Sequence, residues 1–189
     1  MGVLKWVLAA TLLACPVAAQ ESYWQYGDWA VQVTAFDTRE DLRVECSAHT
    51  GGDGMPSLRL SISNGDAGPP EHYPQLTLHE TAPRGHNTQM QNGQAVVMIV
   101  DQSLAYYALV DGYFDEHGIL NATAELRWQD AVYALIGMQA GQQMDVRLLQ
   151  PDRASTRITL ASLNGFTAAY GKMMDSCGHS LELVEPALD

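Results

Sequence analysis

Three groups of residues in this chain have the types and spacing that could do chemistry. Asp111, Asp115, Glu116 and His117 lie close enough in sequence to supply a general acid and base, since paired carboxylates can split their pKa values. Their setting after the turn signal Asp111-Gly112 reads instead as a solvated acidic loop. His79, His86 and Met90 offer imidazole and thioether ligands of the kind copper takes, but their spacing matches no derivable site, so surface histidines and no metal are expected. The third group is Cys177-Gly-His179 beside Met174; a disulfide would take Cys177 out of any ligand or redox role. Gly-x-Ser-x-Gly, His-Glu-x-x-His, Cys-x-x-Cys, EF-hand and phosphate-cradling patterns do not occur. The expectation is a protein with no catalytic residues and no cofactor.

The elements that must position these residues are mostly strands. Trp29–Phe36, Leu42–Cys46 and Leu58–Ile62 alternate apolar and polar residues, which predicts half-buried strands with Cys46 turned inward. A short strand is expected around Leu76–Leu78, and Thr81–Asn92 reads as the longest loop because Pro83, Gly85 and Gly93 break it. Ala95–Val100 and Leu104–Val110 are β-branched and aromatic runs with the character of central strands, followed by a hairpin turn at Asp111-Gly112. From Trp128 to Gln139 the period becomes helical, with Trp128, Val132, Leu135, Ile136 and Gln139 on one face and Gly141 just after. Strands at Met144–Leu149 and Arg157–Ala161 flank a turn at Pro151–Ser155. Last, Phe166, Ala169, Tyr170, Met173, Met174 and Cys177 fall on one helical face, with Asn164 placed to cap the start and Gly178 to end it. Many strands with two late helices predict a mainly β fold: a curved antiparallel sheet or β-sandwich with two short helices near the C-terminus.

Residues 1–19 have the three parts of a cleavable signal: a short start bearing Lys5, an apolar run from Trp6 to Ala14, and Val17-Ala18-Ala19 before polar residues. The run is shorter than the roughly 20 residues a transmembrane helix needs. Leu12-Leu13-Ala14-Cys15 also resembles a lipobox, so a lipid anchor on Cys15 competes with simple cleavage after Ala19. Both place residues 20–189, expected to be one β-rich domain, in the periplasm or outside the cell. Loss of Lys5 leaves nine basic against 22 acidic residues and a single lysine, Lys172. Such a field repels nucleic acid and anionic lipid. In an oxidising compartment the two remaining cysteines, Cys46 and Cys177, most simply form one disulfide, and each lies on the apolar face of its own element.

Tyr23, Trp24, Tyr26 and Trp29 crowd the mature N-terminus. Rigid rings make good contact area, so Tyr23, Trp24 and Tyr26 are candidates for a partner surface; packing of the first strand over the core competes with that reading. The stretch Tyr26-Gly-Asp-Trp-Ala-Val31 resembles the opening of the invasion-associated locus B family of small secreted alphaproteobacterial proteins. Met138–Val146, followed by Ile158-Thr-Leu-Ala-Ser-Leu-Asn-Gly-Phe-Thr-Ala-Ala169, resembles that family's ending. Val33 and Asn121-Ala-Thr123 stand where that family carries cysteines, so its usual disulfides cannot form here. Leu42-Arg-Val-Glu-Cys46 and the helix ending in Cys177 resemble the VasI-type periplasmic accessory proteins of type VI secretion. Both resemblances imply a β-rich exported protein without a catalytic site that binds a protein or surface component. The first adds a link to host contact, and the second a secretion accessory role.

Overall fold

The structure, a computed structural model, describes residues 19–37, 39–52, 56–150 and 154–184. The signal segment and Cys15 lie outside these, apart from Ala19. Ten strands form one antiparallel sheet: β1 (Ala19–Tyr26), β2 (Trp29–Asp37), β3 (Leu42–Gly51), β4 (Ser57–Ser63), β5 (Gln75–Thr81), β6 (Ala95–Val100), β7 (Leu104–Phe114), β8 (Leu120–Glu125), β9 (Gln143–Leu149) and β10 (Ser155–Ser162). Helices α1 (Trp128–Ala140) and α2 (Phe166–Ser176) lie in the C-terminal half. The spatial order is β1-β2-β3-β4-β5-β8-β7-β6-β9-β10.

Alternation decides which face of this sheet is dry. Cross-strand partners stand on the same face, so Trp24, Val31, Ala48, Leu60 and Leu76 make one inward row. Leu58, Leu78, Ala124 and Val110 make another, and Tyr106, Met98 and Val146 a third. Helix α2 covers this face over β1–β3 and α1 covers it over β5–β7, and together they complete the core.

The sheet curls until its two ends meet. Trp29 Nε1–H donates to the Ser162 carbonyl (2.9 Å), and the Asp28 N–H donates to the Asn164 carbonyl (3.0 Å). Trp29 also meets Phe166 edge to face at 4.9 Å between ring centres. Two glycines allow this approach. A Cβ on Gly165 (φ 89°) would lie 1.9 Å from the Tyr26 carbonyl oxygen, and one on Gly27 (φ 54°) 2.7 Å from that of Asn164. The residues that carry the family resemblance, Gly27-Asp28-Trp29 and Asn164-Gly165-Phe166, are therefore the two halves of one clasp.

Several expectations need correction. The hairpin expected at Asp111-Gly112 is absent: β7 continues to Phe114, and the chain reverses at Asp115–Ile119. Gly112 stays in the strand because it packs against Asn92, whose Oδ1 accepts its N–H at 3.1 Å. Strand β8 carries no strong β signal; its small Ala122 and Ala124 fit under the neighbouring strands. Helix α1 forms where its period predicts, but it buries Ala131, Val132, Leu135 and Met138 and leaves Trp128 67% exposed and Gln139 in solvent. Gly141 has an extended φ of −88°, and its lack of a side chain serves space, since a Cβ there would meet Val100 at 2.7 Å. Asn164 does not cap α2 through its side chain; the position before the helix is the left-handed Gly165. The predicted buried face of α2 is buried throughout, and Gly178 (φ 75°) ends the helix. There His179 N–H donates to Met174 O and Gly178 N–H to Asp175 O, the paired bonds of a Schellman termination.

Candidate functional site: the outer face of the sheet

Cys46 and Cys177 form the expected disulfide, with Cα atoms 6.1 Å apart, and it ties β3 to the end of α2 inside the core. The acidic group of Asp111, Asp115, Glu116 and His117 does not gather into one site: the exposed side chains of Glu116 and His117 lie 3.5 Å apart, while Asp111 and Asp115 are engaged separately. Asp111 is paired in β7 opposite Thr123. Asp115 Oδ1 accepts the N–H groups of Ile119 and His117, both at 2.9 Å, and these bonds hold its carboxyl below the usual carboxylate range. Asp115 is the residue that builds the turn.

The three candidate ligands also separate. Met90 is fully buried in the core, His79 lies on the outer face of β5 opposite Ser57 and Thr123, and His86 sits in the loop after β5. Among the described residues, no group of three or more His, Cys, Asp or Glu could hold a metal ion. The long loop owes its order to a residue the sequence did not mark. Buried Glu80 points inward from β5, and its two carboxylate oxygens accept the N–H groups of Gln89 (2.8 Å) and Met90 (2.9 Å).

The aromatic trio divides between the two faces of β1. Trp24 and Tyr26 lean against the core, with the Lys172 ammonium 4.3 Å above the Trp24 ring. Tyr23 alone points outward, 62% exposed.

The outer face has two characters. Over β2–β5 it carries rows of amides, hydroxyls and imidazoles: Tyr23, Gln32, Ser47, Ser61 and Gln75 in one, and His49, Arg59 and Thr77 in the next, continued by Glu125 of β8. Polar residues are what the wet side of an antiparallel sheet should have. Over β7 the rule fails, because Tyr107 and Leu109 point outward 57% and 70% exposed, with Tyr113 following on the same face. Three shallow hollows of about 540, 360 and 570 Å³ lie on this face. Gln32 and Arg59 line both the first and the second, and Thr123 lines both the second and the third. They form one depression running from β2 across β5 and β8 to β7.

The depression is lined by Arg43, Glu45, Arg59 and Asp66 toward β2 and by Asp111, Glu125 and Arg127 toward β7, and Arg127 is paired with Asp130 at 2.8 Å. Arg43 is paired with Glu45 at 2.8 Å, and Glu125 accepts a hydrogen bond from the Gln75 amide. On the far strands Asp145 holds Arg147 (3.2 Å) and Arg157 (2.7 Å), and the Arg157 bond keeps the Asp145 carboxyl below its ordinary range. Arg59 is the one strand arginine among the described residues with no carboxylate. Beside it, burial and the Arg59 charge both push the His49 pKa down, so this imidazole is neutral at pH 7.

No family model matches the chain, and no curated protein does. Among solved structures it is similar to invasion associated protein B from Bartonella henselae. The two share 15% identity, the alignment covers 82% of this chain and 96% of that one, and the TM-score is 0.48.

Proposed function

We propose that this is an exported, non-catalytic binding protein that recognises a protein or surface component of the envelope or of a host cell through the outer face of its sheet. The observation that carries the reading is the exposed Tyr107–Leu109 strip. Large apolar side chains stand on the side of an antiparallel sheet where solvent selects polar ones, and they adjoin a depression that crosses the sheet. Export is supported by the Cys46–Cys177 bond, a linkage that persists in oxidising compartments. No described helix is long and apolar enough to cross a membrane. A non-catalytic role is supported by the way the candidate acids lie: Asp111 is paired in β7 opposite Thr123, and Asp115 is spent on a turn.

The test is retention of the mature protein on two immobilised surface extracts, from the producing bacterium and from host cells. The double variant Tyr107→Ser/Leu109→Ser should lose retention at least tenfold, with an unchanged thermal midpoint. Equal retention of the variant would contradict the reading. A second reading, a periplasmic accessory of a secretion system, is favoured by the bond between the Leu42–Cys46 strand and the terminal helix. Co-purification with secretion-machinery components rather than with host surface would select it.

A further inference from the structure

We propose that the depression is a carbohydrate site, taking an oligosaccharide that carries one carboxylate, with Arg59 as the group that receives it. This rests on the outer-face reading above and names its ligand chemistry. Every strand beneath the depression is paired on both sides, so a ligand lying across it meets side chains and no free backbone edge. That disfavours an added peptide strand. What it meets are hydroxyls and amides that both donate and accept: Gln32, Ser47, Ser61, Gln75, Thr77 and Thr123. Such groups match the hydroxyls of a sugar chain.

Exposed tyrosines stand toward both ends, Tyr23 in the row of Gln32 on one side and Tyr107 on the other, where flat rings can cover the apolar faces of sugar rings. From β2 to β7 the depression crosses five strand spacings, about 24 Å at the usual separation. This is the reach of a short oligosaccharide.

The charge pattern limits the ligand's acidity. A chain with net charge −12 repels polyanions, yet among the described residues it leaves the Arg59 guanidinium without a carboxylate at the middle of the depression while Arg43, Arg147 and Arg157 each hold one. A planar fork of donors fits one carboxylate through two parallel bonds. Neutral His49 beside it can donate or accept at an adjoining hydroxyl without adding charge.

The experiment titrates the mature protein with 3′-sialyllactose, its methyl ester and lactose, following backbone amide shifts by NMR. The acid form should move amides of β3–β5 and β8. The methyl ester and lactose should bind at least tenfold more weakly. Arg59→Gln should reduce binding of the acid at least tenfold, to the level of the methyl ester. Equal binding of acid and ester, or of wild type and Arg59→Gln, would overturn the assignment, as would the absence of shifts at millimolar sugar. The ester comparison decides even if the Arg59 variant misfolds. If sugars fail while the Tyr107/Leu109 variant still loses retention on an extract, the outer face binds another class of partner and only the carbohydrate assignment falls.

Discussion

Glu80 shows how a single buried charge can organise a segment that carries no sequence signal for order. Its carboxylate neutralises two N–H groups of a loop that would otherwise bury them unpaired, and Met90 is thereby drawn fully into the core. Glu80→Ala should cost about 3 kcal/mol, since it removes two charge-assisted bonds and strands their donors. Denaturant unfolding measures the loss, and hydrogen exchange should quicken first at Gln89 and Met90. Asp145 gives a pH signature. Its folded pKa is depressed, chiefly by the Arg157 bond, so the stability it contributes is complete above about pH 5 and is lost as pH falls through 3.8 toward the lower folded value. Asp145→Asn should flatten that part of the acid limb of a pH–stability curve. Neither residue was legible in the sequence: Glu80 sits in a stretch that alternates like any half-wet strand, and the partners of Asp145 lie two and twelve residues away.

At the scale of elements, the strands with clean alternation and the terminal helix with its 3–4 spacing follow directly from the residue pattern, and Cys46 and Cys177 meet because both faces point into one core. What escaped the pattern was decided by neighbours. The short β8 is a strand because β5 and β7 need small residues between them, and α1 is rotated from its expected face because alanines, not Trp128, fit against the sheet. The disulfide closes a span of 131 residues, worth about 5 kcal/mol in the chain-entropy model. Cys46→Ser or Cys177→Ser should therefore lower the melting temperature by roughly 10 °C. Thiol titration of the denatured, unreduced protein should find no free thiol among these two; two would contradict the bond. The clasp makes a second prediction at this scale. Gly165→Ala faces both a positive φ and a Cβ 1.9 Å from the Tyr26 oxygen, and should cost about 3 kcal/mol or more by thermal unfolding.

For the whole molecule, the motifs that carry the resemblance account for the closure of the sheet, while the surface proposed for recognition is drawn from residues that resemble no motif. Gly27, Trp29, Gly165 and Phe166 are spent on the clasp. Arg59 comes from one stretch of alternating sequence and Tyr107 and Leu109 from another, and only the register of β4, β5, β8 and β7 places them on one face. That juxtaposition is a property of the sheet order, in which β8 lies between β5 and β7, and no local pattern encodes it. The central claim is that partners approach this face and not the helical side. A photo-cross-linking residue placed singly at Ser61 and Tyr107 on the outer face, and at Gln139 and Lys172 on the helices, tests it most directly in the presence of the two surface extracts. Adducts from Ser61 and Tyr107 with none from Gln139 and Lys172 are the predicted result, and adducts confined to the helical positions would contradict it.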